Sequence, residues 1–417
     1  MIIGQKICIN PDRGQIEVFR KSCGTPRYTY NWALTEWKRQ KADGVAKVKR
    51  NDLKKLWNAT KPEWVYDAPK DANQQPFTDL YDALNRYFNK QTKFPKLKKK
   101  GKCKDSFYIS NDRASINDLY VKLPLVGKVL MNERLRHKVK DIKIMSYTVS
   151  AYADKWYLSV NYEIDDSLVM KESKINIVGI DVGLNDFAVD SNNESIKSPR
   201  PLKKYKDKLA KLQRRLAKKK RGSKNRQKAR KKVAKCHARI ANIRKDFLHK
   251  LSTTYIKNNK LIAIEDLDVK QMLKNHKLAL HIADASWGEF KRMLEYKSKK
   301  YNSILIKIDK YFASTKTCCE CGHMKDKMGL DEREYVCHEC GSCMPRDYNA
   351  SINLLAYALR LLIPRASGFM PMELVSLAKR AIASLNNNDE VPFGDNRSFI
   401  DWLGNQVLAY ANNMNCK

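Results

Sequence analysis

A chain of 417 residues, 43% of them hydrophobic, has room for about three domains at roughly 150 residues each and enough apolar side chains for real cores. Its 82 Lys and Arg against 45 Asp and Glu leave a formal net charge of +37, far beyond what solubility requires, so a polyanion is the expected partner, nucleic acid before an acidic membrane surface. No apolar run approaches the roughly 20 residues that span a bilayer, the N-terminus lacks a charged segment followed by an apolar one, and of the 11 cysteines four sit in metal-ligand spacing while Cys8, Cys23, Cys103, Cys236 and Cys416 are scattered, as in a reducing compartment, so a cytoplasmic location without a membrane partner is expected.

Residues 1–10, with Ile2, Ile3, Ile7 and Ile9 apolar, read as a strand that Pro11-Asp12 breaks. From about residue 25 to 104, helical patches at 30–34 and 80–88 predict a small helical domain ending in the basic stretch 93–100, which holds Lys98, Lys99 and Lys100. Residues 106–163 turn to short runs of period-two alternation, such as 120–123 and 156–160, with turns at Gly127 and Asp154-Lys155. Together with the N-terminal strand they predict a β-barrel or sandwich.

Near residue 174 the run Ile175-Asn176-Ile177-Val178-Gly179-Ile180-Asp181 predicts a buried strand, followed by a glycine turn and a second strand at 187–189, an opening typical of ribonuclease-H-like folds. A basic helical hairpin follows, turning at Gly222-Ser223-Lys224-Asn225. In its second arm Cys236, Ile240, Ile243, Phe247 and Leu251 fall on one helical face. Residues 203–239 hold nineteen Lys or Arg and one acid, Asp207. A merely solvated helix mixes its signs to gain i,i+4 pairs, so this run predicts phosphate contact, with Arg214, Arg215, Lys219, Arg221, Lys224 and Arg226 as candidates. After about residue 366, Asn386-Asn387-Asn388 and Asn412-Asn413 with weak periodicity predict a tail that is disordered in part and carries no motif.

Cys318, Cys321, Cys337 and Cys340 form two C-x2-C knuckles fifteen residues apart. Two residues between cysteines let both thiolates of a knuckle face one tetrahedral ion, and Gly322 and Gly341 permit the tight backbone after each, so a structural four-thiolate Zn2+ site is predicted. Cys319, His323, His338 and Cys343 are additional donors that leave the ligand set open. Three carboxylates carry the second chemistry: Asp181 in a strand of Ile and Val, Glu265 ending the strand Leu261-Ile262-Ala263-Ile264, and Asp347 just before a helix near residue 350. In the order strand acid, strand acid, helix acid they match nucleases that hold Mg2+ or Mn2+ on hard oxygen ligands for in-line phosphodiester hydrolysis. Asp186, Asp266 and Asp268 compete with them.

At these residues the chain resembles the TnpB family of transposon-encoded RNA-guided nucleases, relatives of the compact type V CRISPR effectors. The resemblance spans most of residues 1–365 and rests on Gly179-Ile180-Asp181-Val182-Gly183, Ile264-Glu265-Asp266-Leu267, Trp287-Gly288-Glu289-Phe290, Leu294-Glu295-Tyr296-Lys297, Ser314-Thr315-Lys316-Thr317-Cys318, the two knuckles, Arg346-Asp347-Tyr348-Asn349-Ala350 and the N-terminal Arg27-Tyr28-Thr29-Tyr30-Asn31-Trp32-Ala33-Leu34. It implies a multidomain α+β and α/β protein. Residues 1–25 and 105–173 would form a split oligonucleotide-binding β-barrel, or wedge, with a helical recognition insert at 26–104. A RuvC-like, ribonuclease-H-like nuclease domain would follow at 174–310 and 346–365, with the basic hairpin at 202–258, a zinc ribbon inserted at 311–345 and a tail at 366–417.

The same resemblance makes Asp181, Glu265 and Asp347 the catalytic acids and the four knuckle cysteines the zinc ligands. It implies a guide RNA from the transposon end, double-stranded target DNA found by base pairing beside a short duplex motif, and a prokaryotic cytoplasm in which the protein acts at the nucleoid. For reading that motif, residues 73–90 offer Gln74, Gln75, Asn85 and Arg86. Relatives commonly carry an acid two places before the last aspartate, where this chain has Pro345; that acid is read as auxiliary. Competing readings are a nuclease-inactive guided repressor, a compact CRISPR effector and a strand transferase. Whether the protein is a monomer or a dimer is left open.

Overall fold

The computed structural model describes residues 1–329, 331–384 and 395–414, and the chain divides into two compact units, Met1–Val169 and Met170–Lys417. In the first, β1 (Ile2–Asn10) leads into a long helix α1 (Arg13–Ala42), followed by α2 (Arg50–Thr60) and α3 (Lys70–Phe88). Strands β2 (Ser106–Ser110), β3 (Ser115–Asn117), β4 (Tyr120–Leu123), β5 (Gly127–Met131), β6 (Ile142–Tyr152) and β7 (Lys155–Ile164) join β1 in one seven-stranded sheet ordered β2-β6-β7-β1-β5-β4-β3. The β6–β7 hairpin turns at Ala153 and Asp154, both at positive φ, as the Asp154-Lys155 turn signal anticipates.

Residues 13–24, which the sequence reading placed with the barrel, are helical. The cause is a capping box: Asp12 Oδ1 accepts from Gln15 N–H at 2.8 Å while Gln15 Oε1 accepts from Asp12 N–H at 3.1 Å, which satisfies two amides that open the helix. Pro26 inside α1 costs one helical hydrogen bond without ending the helix. The helix serves two cores. Phe19 and Cys23 pack on the sheet, whereas Tyr30, Ala33 and Leu34 pack with Trp57, Phe77 and Leu80 of α2 and α3.

The second unit is built on β8 (Ile177–Asp181), β9 (Ala188–Asp190), β10 (Ser195–Ile196), β11 (Leu261–Glu265) and β12 (Ile304–Ile308), in the order β10-β9-β8-β11-β12. The first three pair antiparallel, and β11 runs parallel to both β8 and β12. Between β10 and β11 lies the hairpin α4 (Pro201–Ala217) and α5 (Lys224–Asn258); between β11 and β12 lie α6 (Val269–Met272), α7 (Ala279–Ala285) and α8 (Trp287–Lys300). A two-stranded ribbon, β13 (Glu334–Val336) and β14 (Cys343–Pro345), runs directly into α9 (Arg346–Leu362), and α10 (Pro371–Ala383) and α11 (Asn396–Met414) follow.

The two faces of this sheet have different partners. Ile177, Leu261 and Ala263 pack in one core with α9, α10 and α11, while Val178, Ile180, Ile262 and Ile264 pack in another with α5 and α8. That alternation is the strand period of two. Of the helical face predicted for α5, Cys236, Ile240 and Leu251 are buried, Ile243 and Phe247 are half-buried, and Leu248 goes deeper.

Within the tail, which the sequence predicts to be disordered in part, the described residues include the helices α10 and α11. Leu374, Val375, Leu377, Ala378, Ala381, Phe399, Leu403 and Val407 are buried in the α9 core, because α10 and α11 cover apolar surface that α9 leaves bare. The Asn386-Asn387-Asn388 run lies outside the described residues, as do the side chains of Asn412 and Asn413. No helix among the described residues is long and apolar enough to cross a membrane.

Candidate functional site

Strand parity selects among the acids. On β8 and β11, residues 177, 179 and 181 and residues 261, 263 and 265 share the face covered by α9, so Asp181 and Glu265 point to that side. Each stands one step beyond the paired residues Ile180 and Ile264, at the carboxyl ends of adjacent parallel strands. Glycine brings the third acid. A Cβ on Gly179 would lie 2.1 Å from the Ser351 carbonyl oxygen and 2.9 Å from Leu355 Cβ, so only glycine lets α9 lie this close to the strand. A Cβ on Gly183 would lie 4.0 Å from Asp347 Oδ2, so α9 runs antiparallel to β8. Asp347 precedes Ser351 by about 6 Å of helix, and Asp181 follows Gly179 by about 6.6 Å of strand, which brings the two acids level.

The electrostatics follow from that convergence. Burial, then the charges of Asp347 and Glu265, push Asp181 up to about 8, with Arg346 and the Val182 N–H acting in the opposite direction. Burial pushes Glu265 up to about 7. Among the described residues neither acid has a cationic side chain bound to it, whereas Arg346 Nε sits 3.1 Å from Asp347 Oδ1 and its Nη1 donates to the Glu332 carbonyl at 2.9 Å. The three competing acids are all claimed by lysines: Asp186 by Lys197 at 2.5 Å, Asp266 by Lys291, and Asp268 by Lys310 at 3.8 Å. Asp268 also caps α6 through the Gln271 N–H. Three carboxylates gathered around one arginine, Arg346, leave an excess of negative charge that favours a bound metal ion, and all-oxygen donors favour a hard one.

The thiols form a second, separate cluster. Cys318, Cys321, Cys337 and Cys340 place their sulfurs within 4.8 Å of one another. The Cys318–Cys340 and Cys321–Cys337 separations of 3.7 and 3.6 Å match the roughly 3.8 Å edge of a tetrahedron with 2.3 Å Zn–S bonds. The other four donors stay out of the cluster. Cys319 is buried with its sulfur 3.2 Å from Met344 Sδ, His323 faces Glu339 at 3.9 Å, and His338 and Cys343 are exposed.

Two asparagines tie the thiol cluster to the helix that bears Asp347. Asn349 Oδ1 accepts from the Cys319 N–H at 2.9 Å and its Nδ2 donates to the Thr317 carbonyl at 2.7 Å, while Asn353 Nδ2 donates to the Ser314 and Thr317 carbonyls at 2.8 and 2.7 Å. They are i,i+4 neighbours on α9 and both buried, so they staple the first knuckle to that helix. Sequence reasoning gave them no role, although a buried asparagine pair at helical spacing just after a metal knuckle is a readable signal.

The proposed nucleic-acid contacts divide. Arg214, Arg215, Lys219, Arg221 and Lys224 are exposed on the hairpin. Arg226 is occupied instead, since its Nη1 donates to the Leu216 and Lys219 carbonyls and closes the turn in which Gly222 has φ +84° and Ser223 caps α5. The hairpin is anchored by a buried residue the sequence reading missed: Asp284 accepts from the Leu202 and Lys203 amides at the start of α4 and from Arg244 Nη2 at 2.9 Å. In the first unit, Gln74 bonds to Asn58 and Asn73, Gln75 to Asp79, and exposed Arg86 bonds through Nε to the Asp82 carbonyl, with Asn85 exposed beside it. Lys99 and Lys100 are exposed, while Lys98 is half-buried with Nζ over the Tyr30 ring at 3.8 Å.

Three family models match the chain. One described as "Probable transposase" (OrfB_IS605) covers residues 159–276, a "Cas12f1-like, TNB domain" covers 287–354, and a "Helix-turn-helix domain" (HTH_OrfB_IS605) covers 1–44, a segment that here holds one strand and one long helix. A Streptomyces pristinaespiralis protein that carries the provisional name RNA-guided DNA endonuclease is 34% identical over 69% of this chain and 71% of its own. InsQ of Escherichia coli strain K12, with the same provisional name, is 30% identical over 84% of this chain and 91% of its own. A cryo-EM structure titled as a Cas12f1-sgRNA-target DNA complex matches with a TM-score of 0.53 at 16% identity, over 82% of this chain and 83% of that one. That likeness shows a Cas12f-like mixed α/β fold.

Proposed function

Because the chain belongs to the OrfB_IS605, or TnpB, family, we propose that it is an RNA-guided DNA endonuclease of an insertion-sequence transposon, with Asp181, Glu265 and Asp347 as its catalytic acids. The observation that carries this reading is the gathering of those three acids, and not their lysine-paired neighbours, at the carboxyl ends of β8 and β11 under α9. The order β10-β9-β8-β11-β12, with three antiparallel strands and then two parallel ones, supports a RuvC-like, ribonuclease-H-like domain. The seven-stranded sheet with α1–α3 inserted between β1 and β2 supports a split oligonucleotide-binding barrel, or wedge, with a helical recognition insert. The relatives' name supports a guide RNA and double-stranded DNA as partners, with the exposed cations of the hairpin as phosphate contacts, in a cytoplasmic setting.

Asp181, Glu265 and Asp347 fit Mg2+ or Mn2+, and the four thiols fit a structural Zn2+. Bound at the carboxylates, the hard cation supplies Lewis-acid charge for in-line hydrolysis of a phosphodiester. The chain's own residues do the rest. Burial favours the protonated forms of Asp181 and Glu265, so cation binding is linked to proton release, the close approach of α9 at Gly179 shields Asp181 from water, and Arg346 fixes one oxygen of Asp347.

The test is purification of the full chain, sequencing of the RNA that accompanies it, and incubation with DNA carrying the matching sequence. A discrete RNA and Mg2+-dependent double-strand cleavage are expected, with cleavage lost by at least about a thousandfold in Asp181→Ala, in line with what a metal-held transition state supplies. Undiminished cleavage by that variant, or strand joining without RNA, would overturn the assignment.

A further inference from the structure

Among the exposed aromatic side chains of the first unit, which include Tyr66, Phe88, Tyr120 and Tyr152, one pair stands over a fully buried ring and beside a cluster of cations. Trp57 is fully buried and Phe77 with it, yet Tyr28 is 43% and Trp64 is 45% exposed. These two rings meet edge to face, with centroids 5.1 Å apart at 71°, and Tyr28 leans on Trp57 at 5.9 Å, so the exposed pair is braced from behind. They line a cleft of about 490 Å³ together with Arg20, Lys21, Lys98 and Lys100, within the range of roughly 300–1,000 Å³ typical of small-ligand sites.

Part of the charge in this cleft is spent internally: Lys21 pairs with Asp67 at 3.4 Å, Arg27 with Asp105 at 2.8 Å, and Lys98, over Tyr30, lies 3.8 Å from Asp79. The side chains of Arg20 and Lys100 are exposed and have no hydrogen-bond or ion-pair partner among the described residues. The basic loop is nevertheless held in place: Asn31 Nδ2 donates to the Lys98 carbonyl at 2.9 Å and its Oδ1 accepts from the Lys98 N–H at 2.7 Å. A fixed aromatic surface flanked by bare cations matches the two parts of an unpaired nucleotide, a planar base and its phosphates.

We propose that this cleft is a base-stacking site for an unpaired nucleotide, in which Tyr28 and Trp64 pack on the base and Arg20 and Lys100 hold the flanking phosphates. The proposal rests on the reading of the protein as a nucleic-acid-guided nuclease and adds to it a site that neither the carboxylates nor the hairpin provides. A guide RNA and a displaced DNA strand share this chemistry.

Full-length protein freed of nucleic acid, without divalent metal, is titrated with labelled single strands of about ten nucleotides, one oligouridine RNA and one oligothymidine DNA, across a salt series. Trp64→Ala is expected to weaken the preferred strand by roughly five- to 150-fold, with the slope of log K against log salt unchanged, and Trp64→Phe to restore most of the affinity. Arg20→Ala is expected to flatten that slope by roughly 0.7 for one lost phosphate contact. Strands carrying 5-bromouracil are expected to cross-link, on irradiation, to peptides containing Tyr28 or Trp64, and whichever of RNA and DNA does so more efficiently identifies the source. Unchanged affinity in Trp64→Ala, cross-links confined to other peptides, or an equal loss of polyglutamate binding would overturn the proposal. The measurement uses neither guide nor cleavage, so loss of the nuclease assignment through Asp181→Ala leaves its outcome separate.

Discussion

Asp181 is surrounded by features that disfavour its charge, and this has a consequence for the protein without metal. Held up to about 8 and about 7, Asp181 and Glu265 retain protons in the folded state that the unfolded chain gives up from about pH 4 upward. The folded state therefore binds more protons across that window, so the stability contributed by the pair is fully present below about pH 4 and is lost as pH rises toward 8. A divalent cation replaces the protons, so its stabilising effect is expected to grow from pH 6 to pH 8. In thermal denaturation, Asp181→Asn should flatten the pH dependence and lose most of the Mg2+ gain, a difference of several degrees at about 2–4 °C per kcal/mol. Parent and variant showing the same pH slope and the same Mg2+ response would count against the cluster. At this scale the acids were readable because they end apolar runs; what separated them from Asp186, Asp266 and Asp268 was strand parity and the lysines opposite, and the lysines come from distant segments that no local pattern joins. Gly179 was legible as part of a motif but not as the point where a helix touches the strand.

Between elements, the contact that matters most is the one joining the thiol cluster to α9. Ribbon strand β14 runs straight into this helix, and Asn349 and Asn353 bind main-chain groups around the first knuckle, so the ordered ribbon fixes where Asp347 begins its turn. Removing Zn2+ by chelation is expected to release the knuckle, lower the melting temperature of the second unit and reduce cleavage together. Asn349→Ala separates the effects: it leaves the thiols in place but removes two buried hydrogen bonds, at a cost of about 1–3 kcal/mol. That variant should keep one Zn2+ per chain by metal analysis and lose cleavage more than tenfold. Full activity in a zinc-replete Asn349→Ala protein would mean that the ribbon does not position the helix. The strands, the hairpin turn and the knuckles were legible because period, glycine and cysteine spacing are local signals. Residues 13–24 and the tail were not, because one depended on the Asp12–Gln15 capping box and the other on an apolar face whose partner, α9, is supplied by another part of the chain.

For the whole molecule, charge distribution is the dominant fact. The nineteen cations and one acid of residues 203–239 leave +18 there, about half of the +37 of the chain. Among the described residues a narrow apolar seam opposes this repulsion, with Leu209, Cys236 and Ile240 buried and Leu202, Tyr205, Leu212 and Val233 partly so. Asp284 and Arg226 pin the base and the turn of the hairpin, but the span between them has few apolar contacts to resist opening. The hairpin should therefore be the element that opens first when no polyanion is bound, and the one that gains most when one is. Limited trypsin digestion of the nucleic-acid-free protein is expected to cut first within residues 203–239, and higher salt, by screening the repulsion, should slow that cut. Adding RNA should suppress it more strongly than salt of equal ionic strength, since phosphates supply both screening and contact. First cleavage outside this segment, or RNA protection no greater than that of salt, would mean that the hairpin is stable alone and that its charge serves only to attract the nucleic acid from a distance.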